Sequence, residues 1–326
     1  MRVVFLGNAR WSVPSLEAAA ASGHEIVLVL TRVPGLGGRG NRPIPTPVAE
    51  AARRLGLPLR EVETVKAGPG FQSLTEAHPD VLAVVAYGEI VPKAVLEVPR
   101  LAPVNVHFSL LPALRGAAPV QRAILEGLDV TGVTTIRMDQ GMDTGPILLQ
   151  AEVAIRPEED AGSLGDRLAQ IGGRLLVETI DGLAAGTIEE RPQDEAQATY
   201  APKLKAEDRV IDWSRPADEI VRLVRAMAPE PAATTTFQGK GLKILRAQET
   251  GIWLAFDIPE NQRVPGQIFE AGKEGLVVAV GSGFLRLEEV QPEGRKRMSG
   301  ADFVRGYRPQ TGERLGEPAG GTSGRG

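Results

Sequence analysis

The sequence contains no cysteine and only three histidines, His24, His78 and His107, among its 326 residues. The absence of cysteine excludes disulfide bonds, thiolate metal sites and cysteine nucleophiles, and it is typical of a reducing compartment. The first apolar run is too short for a signal peptide, and nowhere do the roughly 18 uninterrupted apolar residues of a membrane helix occur. No spacing of histidine and carboxylate side chains indicates a metal site. These absences predict a soluble, cytoplasmic protein without a bound metal.

The chain also lacks an excess of positive charge, since it has 37 basic and 41 acidic residues. The formal net charge is −4, so the chain as a whole does not attract a phosphate backbone. A nucleic-acid partner would have to be held by local basic patches rather than by a global field.

The first half of the chain alternates short, apolar, β-branched runs with amphipathic segments. Such an alternation of strands and helices predicts an α/β domain with a parallel, doubly wound sheet. The predicted strands are Arg2–Gly7, Glu25–Thr31, Asp80–Tyr87, Pro103–Ser109, Val133–Met138 and Ile147–Ile155. The predicted helices are Val13–Ser22, Pro47–Leu55, Pro92–Glu97, Ala117–Glu126 and Gly162–Ala185.

The second half of the chain has a different pattern of predicted helices and strands. One further helix, Ala217–Met227, is followed by five short strands between residues 234 and 289 that are separated by glycine-containing turns. This pattern predicts a small β-barrel. The predicted organisation is a catalytic domain over residues 1–188, a polar linker over 189–205, a second domain over 206–314 and a disordered tail over 315–326.

A buried strand with two polar residues carries the most informative pattern. Asn105 and His107 are two residues apart in Val104-Asn-Val-His-Phe-Ser-Leu-Leu-Pro112, so both project from the same face of the strand. Polar groups in a buried strand are costly unless they are paired or used. One interpretation is that the two side chains satisfy each other or a backbone group. The other is that they belong to an active site at the carboxyl end of the strand, where open α/β sheets bind ligands.

Two later segments favour the active site. Arg115 and Gly116 begin a small-residue turn that could hold an anion or a substrate, and the loop Asp139–Asp143 supplies carboxylates. Acylation of an amine needs a base, a donor for the oxyanion and a carboxylate that orients the base. His107, Asn105 and Asp143 are our candidates for these three roles. Because cysteine and a Gly-x-Ser-x-Gly motif are both absent, we expect direct transfer rather than a covalent acyl-enzyme.

These motifs together resemble the folate-dependent formyltransferase family, and within it the branch that formylates methionyl initiator tRNA. The resemblance rests on Asn105-x-His107 with Ser-Leu-Leu-Pro112, on Arg115-Gly-Ala-Ala-Pro119, and on Asp143-Thr-Gly145. It extends from Arg2 to about Arg314. It implies a Rossmann-like N-terminal domain, a C-terminal domain similar to an OB barrel, and a monomer. Phe108 departs from the family pattern, which usually has a small residue at this position.

The resemblance also implies the substrates and their contacts. The co-substrate would be 10-formyltetrahydrofolate, with neither a metal nor a nicotinamide cofactor, and the acceptor would be aminoacylated initiator tRNA. Asn105, His107 and Asp143 would be catalytic. The folate would contact Ser109, Leu110, Leu111, Pro112, Tyr87, Gly88, Ile90, Asp139, Gln140 and Gly141.

Two basic segments are candidates for contact with the tRNA. The glycine-rich stretch from Thr31 to Pro43 carries Arg32, Arg39 and Arg42, and the resemblance implies that it contacts the acceptor arm. Arg295 and Arg297 form a second cluster. Each segment also has a plainer interpretation, since flexible loops and short charge runs are usually solvated surface.

Several other functions remain as alternatives. The same chemistry can act on a sugar-nucleotide amine or a ribosylglycinamide, or on water in a formyl-folate hydrolase. A ribosylglycinamide enzyme would need only the first domain, and a hydrolase would bring a further regulatory domain. An RNA-binding protein with an inactive enzyme fold would be expected to have lost Asn105, His107 or Asp143. An oxidoreductase is disfavoured because Gly7-Asn-Ala-Arg10 is not a Gly-x-Gly-x-x-Gly motif.

Overall fold

The computed structural model of the chain describes residues 1–37, 42–250 and 264–317. The chain divides into two compact units. The first comprises Met1–Val120, Asp129–Ile155 and Leu164–Lys203, and the second comprises Gln121–Leu128, Arg156–Ser163 and Leu204–Gly326.

The first unit contains a seven-stranded sheet and a separate two-stranded hairpin. Its described strands are β1 (Arg2–Gly7), β2 (Glu25–Arg32), β3 (Gly35–Gly37), β4 (Arg42–Ile44), β5 (Leu59–Val62), β6 (Val81–Val85), β7 (Ala102–His107), β8 (Val130–Arg137) and β9 (Ile147–Ala154). The large sheet has the order β5-β2-β1-β6-β7-β8-β9, and β3 pairs with β4. Each adjacent pair within the run β5-β2-β1-β6-β7 is parallel, which confirms the predicted parallel-rich α/β sheet.

The other end of the sheet differs from a fully parallel, doubly wound arrangement. Strand β8 runs antiparallel to β7, and β9 runs antiparallel to β8. A parallel return needs a crossover of about a dozen residues or more, usually a helix. Only the loop between Arg137 and Ile147 joins β8 to β9, so the chain turns back as a hairpin.

Helices follow the strands as predicted, with one addition before β6. The described helices are α1 (Val13–Ala21), α2 (Pro47–Arg54), α3 (Gly68–Glu76), α4 (Lys93–Leu96), α5 (Pro119–Leu125) and α6 (Ala161–Ala185). Helix α2 shows how the sequence sets a boundary. Thr46 Oγ1 accepts a hydrogen bond from Ala49 N at 3.0 Å. Pro47 has no backbone N–H, and none is needed in the first turn, where an N–H would have no acceptor within the helix. Strand β5 and helix α3 were not predicted, because their apolar residues are few.

The second unit is built on an antiparallel sheet. Its elements are α7 (Ala217–Met227), β10 (Ala233–Phe237), β11 (Lys240–Glu249), β12 (Ile268–Gly272), β13 (Gly275–Ala279), β14 (Phe284–Pro292), β15 (Met298–Ser299) and α8 (Gly300–Tyr307). The order is β10-β11-β14-β13-β12, with β15 paired to β14. The core of this unit includes Trp213, Ile244, Leu285 and Phe303.

The segment after α8 pairs with both edges of this sheet. Leu315 N donates to Gly266 O at 2.8 Å, just before β12, and Gly316 N donates to Thr236 O in β10 at 2.9 Å. One segment therefore connects the two edge strands, an arrangement consistent with the predicted OB-like barrel. Leu315 and Gly316 fall within the tail that was predicted to be disordered, yet both are paired. The rest of that tail, from residue 318, lies outside the described residues.

No helix in the described parts of the chain combines the length and the apolar composition that crossing a bilayer requires.

Candidate active site

Strand β7 is apolar apart from two polar side chains, Asn105 and His107. Val104 and Val106 are buried, and Asn105 and His107 alternate with them and share the opposite face. The loop after β8 begins beside the amino end of β7, since Val104 pairs with Arg137 in the antiparallel register. The loop must therefore fold back along the strand to reach the two polar residues.

The structure brings together the three residues predicted to be catalytic. Asn105 Nδ2 donates a hydrogen bond to Asp143 Oδ1 at 3.3 Å. His107 Nδ1 lies 3.6 Å from Asp143 Oδ2. The His107 and Asp143 side chains are only 6% and 17% exposed, so their interaction is weakly screened by water. Asn105 and His107 thus turn to a shared carboxylate and not to each other.

The proton positions on His107 follow from its second neighbour. Its Nε2 lies 2.9 Å from the carbonyl oxygen of Leu114. Because a carbonyl only accepts, Nε2 carries a proton and donates it. In the neutral imidazole, the lone pair is then on Nδ1, on the side of Asp143.

The carboxylate of Asp143 is fixed by the backbone as well as by β7. Gly116 N donates to Asp143 Oδ2 at 2.8 Å. Asp143 itself has a φ of +56°, a left-handed conformation that aspartate tolerates better than most residues. Gly116 has a φ of +122°, and a Cβ there would lie 2.7 Å from the carbonyl oxygen of Ala201. Glycine is therefore required where this N–H approaches the carboxylate.

Arg115 does not provide the open anion site that its position suggested. Its side chain is 0% exposed and forms two hydrogen bonds to Glu195, at 2.8 and 2.7 Å. The guanidinium of Arg115 lowers the pKa of Glu195, mainly through this hydrogen bonding. The expectation that Arg115 holds a substrate anion is wrong for this arrangement, because its donors are taken up by the protein.

The predicted folate-binding loop after β7 is held against β8 and β9. Thr134 Oγ1 donates to Ser109 O at 2.7 Å and accepts from Leu111 N at 3.1 Å. Gln150 Nε2 donates to Leu111 O at 2.8 Å. Leu110 and Pro112 complete this loop, which the structure places directly after His107.

The predicted contacts after β6 are Tyr87, Gly88 and Ile90, and we call this segment the Tyr87 wall. Tyr87 is buried, and burial, followed by the charge of Glu89, raises its pKa to about 12. Ile90 is 77% exposed, and Gly88 between them has a φ of +82°. This wall adjoins the active strand, because Val84 of β6 pairs with Asn105 of β7.

The third predicted folate segment, Asp139–Gly141, belongs to the same loop as Asp143. Asp139 Oδ1 accepts hydrogen bonds from Gly141 N at 3.0 Å and from Thr144 Oγ1 at 2.7 Å. Gln140 lies between them and is exposed. The loop that supplies Asp143 is thus partly organised by its own first residue.

The arginines predicted to contact tRNA lie in different surroundings. Arg32, at the end of β2, forms an ion pair with Glu89 at 3.2 Å, so it is adjacent to the Tyr87 wall. Arg42 is exposed in β4. Arg39 lies outside the described residues. In the second unit, Arg295 is exposed on the turn after β14, and Arg297 pairs with Glu289 at 3.1 Å.

The structure also explains how the unusual Phe108 is accommodated. Phe108 is 6% exposed, and its ring meets Trp11 edge-on with 6.2 Å between the ring centroids. A Cβ on Gly172 of α6 would lie only 3.3 Å from the Phe108 ring. The larger side chain is therefore accepted by a glycine on the helix that covers it, away from His107.

Sequence reasoning missed Gln193. Its Nε2 donates to the backbone oxygens of both Asp143 and Gly145 at 2.7 Å. Gln193 lies in the polar stretch that was expected to be a linker. The sequence of that stretch has no apolar period that would have pointed to a residue of the site. Within the described residues, no group of three histidine or carboxylate side chains is arranged to hold a metal ion.

The α/β sheet therefore brings Asn105, His107 and Asp143 together at one largely covered place. Comparison with known proteins identifies the family of the chain. The profile described as "Formyl transferase" matches residues 1–180, and "Formyl transferase, C-terminal domain" matches residues 203–308. The chain belongs to the formyl transferase family.

Relatives and solved structures cover nearly the whole chain. It is 40% identical over 316 residues to a methionyl-tRNA formyltransferase from Geobacter metallireducens, covering 97% of this chain and 99% of the relative. It is 44% identical over 318 residues to one from Solibacter usitatus, again covering 97% and 99%. The fold is similar to HypX from Aquifex aeolicus, with a TM-score of 0.65, 16% identity and coverage of 98% of this chain and 50% of that one. It is also similar to a sugar 3N-formyltransferase, WlaRD, with a TM-score of 0.63, 18% identity and coverage of 91% and 99%.

Proposed function

We propose that this chain transfers the formyl group of 10-formyltetrahydrofolate to the free amino group of methionyl initiator tRNA, in support of translation initiation. The similarity to methionyl-tRNA formyltransferases at 40–44% identity along almost the full chain supports this acceptor. The observation that carries the chemistry is the largely covered group in which Asn105 and His107 both face Asp143.

Each member of this group has one role in a direct transfer. The amine nitrogen of the methionyl group bonds to the formyl carbon, and the bond between that carbon and N10 of the folate breaks. His107 accepts the proton of the amine at Nδ1 and returns it to N10. Asp143 stabilises the imidazolium, and Asn105 donates to the oxygen that gains charge. An oxyanion donor of this kind contributes about 3–4 kcal/mol to transition-state stabilisation.

The folate would lie between the loop after β7, the Tyr87 wall and the Asp139–Asp143 loop. All three segments adjoin the carboxyl half of β7, which supports this assignment. Ile90, which is 77% exposed, and the partly exposed Leu110 offer apolar surface, while backbone groups near Gly88 and Gly141 offer hydrogen bonds for a heterocycle.

Arginines on each unit are our candidates for contact with the tRNA. Arg42 and Arg39 on the first unit, with Arg32 at the base of their segment, are our candidates for the acceptor arm. Arg295 and Arg297 are candidates on the second unit, residues 206–314. We further propose that the protein acts as a cytoplasmic monomer, which light scattering in solution would test.

The experiment is a formylation assay with purified protein, 10-formyltetrahydrofolate and methionyl initiator tRNA. The wild type should produce formyl-methionyl-tRNA, and Asp143→Asn should reduce kcat by at least about a hundredfold. Asp181→Asn is the matched control, since Asp181 is an exposed acid that pairs only with His24 among the described contacts. It should retain the wild-type rate. If the wild type ignores this tRNA but formylates a sugar-nucleotide amine, the reaction stands and the acceptor is wrong.

A further inference from the structure

The carbonyl groups of the catalytic loop are held by a residue from a distant segment. Gln193 Nε2 donates to Asp143 O and to Gly145 O, both at 2.7 Å. Its Oε1 accepts from Arg115 Nε at 3.1 Å and from a terminal nitrogen of Arg115 at 2.8 Å. Gln193 thus uses both ends of its amide, with two bonds at each end.

The orientation of this amide is fixed by the chemistry of its partners. Arg115 offers only donors, and the two loop carbonyls offer only acceptors. A reversed amide would place NH₂ against the guanidinium and oxygen against the carbonyls, and all four hydrogen bonds would be lost. Arg115 is in turn held by Glu195, and its own side chain is fully buried. We name this set, Gln193 with Arg115 and Glu195, the Gln193 bridge.

Backbone hydrogen bonds also hold Arg115, at the other end of the Gln193 bridge. Arg115 N donates to Thr199 O at 2.8 Å, and Ala201 N donates to Arg115 O at 2.7 Å. The residue after Arg115 is Gly116, whose N–H holds the Asp143 carboxylate. Asp143 is therefore fixed at its side chain by Gly116 and at its main chain by Gln193, and both supports meet at residues 115 and 116.

We infer that Gln193 is a positioning residue for the transfer reaction, which acts by holding the backbone of Asp143 so that its carboxylate stays within reach of His107. This inference rests on the proposed function. The carboxylate of Asp143 lies 3.6 Å from Nδ1 of His107. Support of its backbone matters because a displacement of about 1 Å at a catalytic group can lower the rate about a hundredfold. Gln193 itself touches the loop and not the reacting atoms.

The first test does not depend on substrate. Amide hydrogen exchange is measured for the peptide that spans residues 139–146 in the wild type, in Gln193→Met and in Gln72→Met. Methionine has a similar length but no strong donor. Gln72 is an exposed glutamine that bonds only to Glu76 on α3 among the described contacts, so its variant is the matched control. We expect faster exchange of the loop in Gln193→Met alone, and unchanged exchange in that variant would overturn the inference.

The second test is a double-mutant cycle with Gln193→Met and Asp143→Asn in the formylation assay. We expect Gln193→Met to lower kcat about tenfold or more while each KM changes less than about threefold. In the Asp143→Asn background, the same substitution should cost less than about twofold, because the bridge acts through that carboxylate. Equal losses in both backgrounds would show a general structural effect and overturn the positioning role.

A further variant guards against misfolding. Gln193→Glu keeps the oxygen that faces Arg115 but places a second oxygen against the two carbonyls. It should reduce kcat at least as much as Gln193→Met and leave the melting temperature close to that of the wild type; a wild-type kcat would overturn the inference. An inactive wild type would contradict the proposed acceptor instead. The exchange measurement alone would then test whether Gln193 holds the backbone of Asp143.

Discussion

Two aspartates in one loop have different partners. Asp139 binds within its own loop, to Gly141 N and Thr144 Oγ1. Asp143, four residues later, binds outside the loop to Asn105 on β7 and to Gly116 N, and it lies beside His107. Asp139 is exposed, whereas Asp143 is largely covered. Asp139 therefore shapes the loop, and Asp143 connects the loop to the active strand.

The comparison shows why Asp143 is better suited than Asp139 to the role proposed for it. A hydrogen bond inside a loop moves with the loop, whereas bonds to a sheet strand and to a separate turn define a position relative to the imidazole. Fixed groups contribute more to a transition state because little reorganisation is needed during the reaction. The following predictions are ordered from the largest expected effect to the smallest.

The most direct test applies the same conservative substitution to both aspartates. In Asp143→Glu the charge is kept, but the longer side chain displaces the carboxylate by about 1 Å, and we expect kcat to fall roughly ten- to hundredfold. In Asp139→Glu we expect kcat to change less than about threefold and the KM for the formyl donor to rise severalfold. Steady-state kinetics with both substrates measures the two parameters. Similar kcat losses at the two positions would remove the distinction between them.

A second test alters the turn that binds Asp143. In Gly116→Ala, the new Cβ would approach Ala201 O to 2.7 Å at a φ of +122°. We expect the free energy of unfolding to fall by about 1–3 kcal/mol and kcat to fall about tenfold or more. Chemical denaturation and the formylation assay measure these changes.

Gly186→Ala is the control for backbone strain. Its φ of +67° is also left-handed, but a Cβ there would meet open space. We expect a loss of about 1–2 kcal/mol and a wild-type kcat. An equal kcat loss in both glycine variants would show that strain alone, and not displacement of the Gly116 N–H, lowers the rate.

The same contrast explains which parts of the site were readable from the sequence. The apolar alternation of β7 made Asn105 and His107 conspicuous, and a loop between two strands pointed to Asp143. The Gln193 bridge could not be read, because hydrogen bonds between residues about 80 positions apart leave no local period. Arg115 was misinterpreted for the same reason. Its partner Glu195 lies in a polar segment that has the composition of a linker.

The parts of the fold that were missed have a similar cause. Strand β5 has charged residues at two of its four positions, and α3 begins with Gly-Pro-Gly, so neither has the apolar pattern of its element type. Strand β5 depends on its neighbour in the sheet rather than on its own composition. Parallel pairing of β5 with β2 supplies that support.

A smaller effect is expected from the outer end of the Gln193 bridge. Arg115 holds the pKa of Glu195 below its ordinary value of 4.5. A lowered folded-state pKa stabilises the fold at pH values above the unfolded-state pKa, and the stabilisation is lost as the pH falls through the folded-state pKa. Glu195→Gln should therefore lower the melting temperature by a small amount at pH 7. The difference from the wild type should disappear in strongly acidic solution. A difference that persists unchanged at low pH would contradict the ion pair.

The smallest predicted signal contrasts an enclosed tyrosine with an exposed one. Tyr87 is 3% exposed and Tyr200 is 62% exposed. Burial, followed by the charge of Glu89, raises the pKa of Tyr87 to about 12, so the neutral phenol is favoured in the folded protein. Its contribution to stability is present below about pH 10 and is lost as the pH rises toward 12. A spectrophotometric titration should show a late phenolate step, and Tyr87→Phe should remove that step alone. If the late step survives in Tyr87→Phe, it belongs to another tyrosine, and the enclosure of Tyr87 does not raise its pKa.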